Sequence, residues 1–229
     1  MHNLRFLLLL LIGAITGCQQ DDAATTTKVF TYLALGDSYT IGESVAFEKN
    51  FPSQLKDSLQ KSIPQSRVDL KIIATTGWTT TNLIDEINDE VFPSNYDLVT
   101  LLIGVNNQYQ QKPFSLYQTE FPQLVNEAIA RAGGDKSRVI VLSIPDYAYT
   151  PYGQFTGNGT TISTQLSLYN SFAEQYCQTN GVRFVYITDI TQQGLSDPEL
   201  VAFDGLHPSG KAYKKFVERL VQPAKDILE

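Results

Sequence analysis

From residue 29 onward, short and nearly continuous apolar runs alternate with longer stretches in which apolar positions recur every three or four residues. The runs at 30–35, 68–74, 98–103, 139–144 and 183–187 are rich in Val, Ile and Leu and predict five strands. They lack the in–out alternation of a strand with one wet face, so both faces are expected to be covered, as in a parallel sheet. The amphipathic stretches 52–61, 81–90, 115–132, 163–179 and 209–228 predict helices between and after them. This alternation implies an α/β fold, a three-layer α/β/α sandwich around a five-stranded parallel sheet. Ligands gather at the carboxyl ends of such strands. That rule singles out residues 36–40, 75–80 and 104–108, and the segments that follow the fourth and fifth strands. The segment 145–162 is expected to be a long loop and carries Tyr147, Tyr149, Tyr152 and Phe155. Long loops in compact domains are often functional or mobile. This one is read either as a rim for sugar or aryl rings or as a flap packed on itself.

The amino terminus has a separate logic. Arg5, the apolar run 6–12 and the small residues that lead to Cys18 read as an export signal, with an apolar stretch too short to span a bilayer. The ending Ile15-Thr16-Gly17-Cys18 resembles a bacterial lipobox, in which the cysteine becomes the lipidated first residue. The expected organisation is therefore a signal at 1–17, a flexible tether at 18–28 and one folded domain at 29–229. Such a protein would sit in the bacterial cell envelope, periplasmic or at the surface, held to the membrane by the lipid on Cys18 alone.

Composition narrows the chemistry. With 17 Lys and Arg against 24 Asp and Glu, the chain carries a net charge of −7 and has no basic run. Nucleic-acid binding rests largely on phosphate neutralisation, so nucleic acid is not an expected partner. Cys18 and Cys177 are the only cysteines, which leaves no disulfide framework and makes Cys177 a buried helix residue. Of the two histidines, His2 lies in the segment expected to be removed and His207 remains. One histidine cannot build a His-rich metal site, and no metal or organic cofactor is expected.

His207 follows Asp204 by three residues in Asp204-Gly205-Leu206-His207-Pro208. Imidazole is the side chain whose ordinary titration falls near neutral pH, so His207 is the natural proton carrier for base-assisted chemistry. Ser38 stands in the turn Gly36-Asp37-Ser38, where a base is needed to make its hydroxyl a nucleophile. Gly77 offers an unobstructed backbone N–H and Asn106 a side-chain amide, the donor types that stabilise a developing oxyanion. Each of these also has a plain structural reading as a turn glycine, a loop cap or an incidental histidine. Asp37 is expected to accept backbone hydrogen bonds that hold its turn, and Trp78 either walls an acyl site or packs in the core. The elbow Gly-x-Ser-x-Gly of α/β-hydrolases does not occur.

Taken in order, these residues resemble the SGNH (GDSL-type) hydrolases, named for four blocks with Ser, Gly, Asn and His. The first block is Gly36-Asp37-Ser38, the second holds Gly77, the third is Gly104-x-Asn106 and the last is Asp204-x-x-His207-Pro208. The resemblance spans residues 30 to 215. It implies a flavodoxin-like sandwich with Ser38 as nucleophile, His207 as general base and Asp204 as the acid that orients it. The oxyanion hole would comprise the backbone N–H groups of Ser38 and Gly77 and the Asn106 side chain. One departure is Asn107, where the family usually has Asp, which puts the support of the oxyanion loop in question. The implied activity is a serine esterase working through an acyl-enzyme on a small-molecule or glycan ester, acetyl-like or acetylated carbohydrate. Alternatives are a lysophospholipase or thioesterase of the same fold, acyl transfer to an alcohol, and a non-catalytic surface binding module.

Overall fold

The computed structural model describes residues 27–89 and 93–229. The export signal, Cys18 and most of the expected tether lie outside the described residues. In chain order the elements are β1 (Lys28–Gly36), α1 (Ser38–Ile41), α2 (Phe51–Ser62), β2 (Ser66–Ala74), α3 (Thr80–Asp89), β3 (Leu98–Leu102) and α4 (Val105–Tyr109). They continue with α5 (Phe114–Arg131), β4 (Val139–Leu142), α6 (Pro151–Phe155), α7 (Gly159–Asn180), β5 (Arg183–Val185), α8 (Thr188–Thr191) and α9 (Gly210–Leu228).

All five strands pair in parallel, in the order β2-β1-β3-β4-β5. This is the flavodoxin-like order. Every residue of β3 and β4 is buried, as are Tyr32, Leu33, Ala34 and Leu35 on β1. Consecutive strand residues face opposite sides of a sheet, so burial of all of them means both faces are covered. One helical layer pairs α2 with α9, and the other packs α3 and α7 against α5. Each fully buried Leu contributes roughly 1.5–3 kcal/mol, and Leu33, Leu35, Leu98, Leu101 and Leu124 all belong to one continuous core.

Three of the boundaries that differ from expectation have a clear cause. β1 begins at Lys28, inside the expected tether, because the Lys28 amide donates to the Gln65 carbonyl at 2.8 Å. The fourth and fifth strands end early because side chains take over the sheet's hydrogen bonding. Ile144 N donates to Asn170 Oδ1 at 2.7 Å, while Ile187 N and Thr188 N both donate to Ser143 Oγ.

The largest correction is the segment 145–162, which is structured almost throughout. Asp146 caps a 3-10 turn at Tyr147–Tyr149, Thr150 caps α6, and α7 already starts at Gly159. Turns this brief show no periodicity, so their capping residues look like loop polarity in the sequence. Tyr147 is buried while Phe155 is 90% exposed, so part of the segment packs on the domain and part reaches solvent.

β1 leads one way to β2 and the chain then returns past it to β3, which makes the β1/β3 carboxyl ends the topological switch point of the sheet. Gly36 lies opposite Leu102 there, and a Cβ on it would run into the Leu102 carbonyl oxygen and the Thr40 hydroxyl. Gly36→Ala is expected to lose about 3 kcal/mol of stability, because the obstacle includes backbone that cannot rotate away. Urea unfolding would measure it, and a midpoint equal to the parent's would show that the strands are not held this close.

Candidate active site

Ser38 is the first residue of α1, a single helical turn that starts directly off β1. Asp37 caps it by accepting the Tyr39 N–H at 3.0 Å, and Gly42 ends it in the left-handed region at φ 80°, donating to the Ser38 carbonyl. A residue with a Cβ at 42 would also strike Asn50. The nucleophile candidate is thus fixed on both sides, buried to 4% exposure.

Asp37 is itself fully buried. Desolvation pushes its carboxyl up to about 7, against the pull of the Tyr39 and Gly104 backbone amides. Asp204 has the opposite fate. Burial there too favours the neutral acid, but it is outweighed by hydrogen bonds from the His207 ring, the Leu206 and His207 amides and the Ser44 hydroxyl, which hold the carboxyl down to about 2. The Asp204 Oδ2 to His207 Nδ1 distance is 2.6 Å. An ionised carboxylate only accepts, so Nδ1 carries a proton, and in the neutral ring Nε2 is then the nitrogen with the lone pair. The loop holds this pair by a local hydrogen-bond net. Ala202 N donates to the His207 carbonyl, Gly205 turns at φ 71°, and Tyr152 N donates to the Gly205 carbonyl.

Ser38 Oγ makes no hydrogen bond to the His207 ring among the described residues. The two segments meet through their neighbours: the Tyr39 ring stands edge-on to the His207 ring at 5.8 Å between centroids. Catalytic hydrogen bonds are often long before substrate arrives.

The oxyanion candidates assemble at the next two strand ends. Gly77 turns at φ 87° with open space where a Cβ would be, and Gln110 Nε2 donates to its carbonyl at 2.9 Å. Asn106 Nδ2 donates to the Trp78 carbonyl at 2.9 Å. That bond uses one of two amide hydrogens and fixes the direction of the other. Gly104 provides the turn before α4 at φ 121°, a position closed to side chains by Tyr117 and Ile144. Trp78 is half-buried against the core.

Asn107 has a specific partner set. Its Oδ1 accepts from Thr80 N at 2.9 Å and its Nδ2 donates to Thr80 Oγ1 at 2.6 Å. The Thr80 hydroxyl in turn donates to Glu120. A carboxylate at 107 would leave one hydroxyl proton between two acceptors. Asparagine is therefore complementary to Glu120, and the departure from the usual Asp is compensated locally.

Among the described residues, no group of three or more His, Cys, Asp or Glu is placed to hold a metal ion, and no helix is long and apolar enough to cross a membrane. Cys177 is buried inside α7, and desolvation pushes its thiol up to about 12. Sequence reasoning missed Glu43, Ser44 and Gln110. The Ser44–Asp204 bond joins residues 160 positions apart, and neither residue carries a motif that points to the other.

A parallel α/β domain with a serine turn, an oriented Asp–His pair and convergent amide groups at one switch point defines a hydrolase class. The chain belongs to the GDSL-like Lipase/Acylhydrolase family, which it matches over residues 34–215. An uncharacterized protein of Bacillus subtilis (strain 168), YpmR, is 24% identical over 243 residues, covering 95% of this chain and 93% of that protein. Among solved structures, the lipase Lip_vut3 from a goat rumen metagenome superposes with a TM-score of 0.68 at 19% identity, covering 87% of this chain and all of that one. A single-substitution variant of Axe2, an acetyl xylan esterase from Geobacillus stearothermophilus, gives 0.66 at 17% identity, over 87% of this chain and 96% of that chain. At these identities the structural matches speak to the fold.

The buried carboxyl and the buried amide each generate a prediction. Between the unfolded carboxyl value near 4 and the folded value of about 7, the folded state keeps a proton on Asp37 that the unfolded state releases, so stability falls as pH rises through that window. Asp37→Asn keeps the acceptor and cannot titrate. Its melting temperature should therefore change less than the parent's between about pH 4 and about pH 8, and parallel curves would contradict the buried, protonated acid. Asn107→Asp should cost about 1–2 kcal/mol at neutral pH and regain it on acidification, as one carboxyl of the pair takes a proton. Thermal unfolding across pH reads both variants.

Proposed function

We propose that this chain is a serine ester hydrolase that works through an acyl-enzyme, with Ser38 as nucleophile. The observation that carries the reading is the Asp204–His207 pair, whose 2.6 Å contact leaves Nε2 as a base, on the loop whose imidazole touches the residue after Ser38. His207 Nε2 takes the Ser38 proton as Oγ attacks the ester carbonyl. The carbonyl oxygen becomes an oxyanion that the Ser38 and Gly77 amides and the Asn106 side chain stabilise. The imidazolium then protonates the leaving alcohol, and the acyl group stays on Ser38. Water, deprotonated by the same nitrogen, attacks the acyl carbonyl and releases the acid, returning the proton to Ser38.

Short acyl groups, acetyl first, are the proposed acyl part. A groove of about 590 Å³ opens beside α4, where Gln108, Tyr109, Gln111, Asn158 and Gln165 alternate with Phe114, Ile162 and Leu168, and Lys112 is its one charged residue. Amides and tyrosines with little charge suit a neutral, hydroxyl-rich alcohol, in keeping with an acetylated carbohydrate. The acetyl xylan esterase among the structural neighbours supports the same substrate class. We further propose that Cys18 is lipidated and that the enzyme works tethered in the bacterial cell envelope.

The test is hydrolysis of 4-nitrophenyl esters from acetate to decanoate. Activity should be highest on acetate and drop on the order of 10⁴-fold in Ser38→Ala, with a similar loss in His207→Ala and a smaller one in Asp204→Ala. Equal turnover by parent and Ser38→Ala would overturn the serine mechanism.

A further inference from the structure

The turn after α1 holds two consecutive side chains that reach different parts of the site. Thr76, next to Gly77, donates its hydroxyl to the Glu43 carboxylate. Ser44 donates its hydroxyl to Asp204 Oδ2 at 2.7 Å, the same oxygen that accepts from His207. Both residues sit in a turn tied to Ser38, because the Gly42 and Glu43 amides donate to the Ser38 carbonyl. The turn is anchored below as well: the buried Asn50 donates to the Ile41 carbonyl at 3.0 Å and caps α2 through Ser53 N.

Ser44 lies at φ 65°, in the left-handed region that side chains other than Gly, Asn and Asp rarely adopt. A glycine would relieve that strain and would carry no hydroxyl. Serine at a strained position, with its hydroxyl on the acid of the Asp–His pair, argues that the contact is worth the strain.

We propose that Glu43 and Ser44 form a positioning bracket that sets the Ser38 turn against both halves of the site, Ser44 through Asp204 and Glu43 through the Thr76–Gly77 turn. The bracket rests on the Ser38–His207 reading. Without Ser44, Oδ2 loses one of its two donors and the Asp204–His207 pair is free to shift as a unit. Without Glu43, the Gly77 turn keeps the bonds from Gln110 to the Gly77 carbonyl and from Asn106 to the Trp78 carbonyl.

The experiment measures the rate at which an alkyl fluorophosphonate labels Ser38, read by mass spectrometry on the intact protein, together with kcat and KM on 4-nitrophenyl acetate. In the labelling step Ser38 Oγ bonds to phosphorus, fluoride leaves and His207 accepts the serine proton. Ser44→Gly and Ser44→Ala should both label about 10-fold more slowly, the scale of losing a hydrogen bond to a charged group, and kcat should fall with KM little changed. Ser44→Gly should nevertheless melt a few degrees above Ser44→Ala, because glycine accepts the left-handed backbone. Glu43→Ala should be similarly slow, and Glu43→Gln, which keeps an acceptor for Thr76, should recover most of the rate. A parent that is not labelled at Ser38 would sink the functional reading itself. Labelling of the parent together with full-speed Ser44→Gly, or with a Glu43→Gln no faster than Glu43→Ala, would overturn the bracket.

Discussion

The close passage of β1 between β2 and β3 is the constraint from which the site follows. At Gly36 the backbone of β1 runs so near the Leu102 carbonyl that no side chain fits between them. That proximity places the residues after three adjacent strands within reach of one another: Ser38 after β1, Gly77 after β2 and Asn106 after β3. The strand order reverses at the same place, so the helices diverge and leave a crevice open. The packing that stabilises the sheet and the geometry that gathers the polar groups are one feature.

Two aspartates in this site show how environment divides one chemistry into two roles. Asp37 lies in the interior, where desolvation outweighs the amides that face it and favours the neutral acid. Asp204 is partly open, and its carboxylate collects four hydrogen bonds that overcome the same penalty. The first braces a turn by accepting the Tyr39 amide, and the second is held anionic against the His207 ring.

The fold was legible in the sequence because it rests on periodic information, and the motif residues stood out together through their ordered resemblance to one family. Apolar runs expected to be buried on both faces identified the strands, and the glycines at 36 and 77 marked turns where the backbone must approach or reverse. The short helices α6 and α8 were not legible, because four or five residues carry no period and their caps look like loop polarity. Nor were Glu43 and Ser44, whose partners are 33 and 160 residues away. Asn107 could be seen as a departure but not explained, since its complement Glu120 becomes a neighbour only through the packing of α3 on α5.

The contacts that assemble the site differ in kind from those that stabilise the domain. The core is continuous and apolar, whereas the Asp204–Ser44 and Glu43–Thr76 bonds lie at exposed positions. Exposed hydrogen bonds compete with water and open at far lower free energy than the global fold. Fixing several of them to one short turn compensates for that weakness. A turn already closed by the Ser38 carbonyl and by Asn50 has little backbone entropy left to lose when its side chains find their partners. The site is thus held by individually weak bonds whose ordering cost was met when the turn folded.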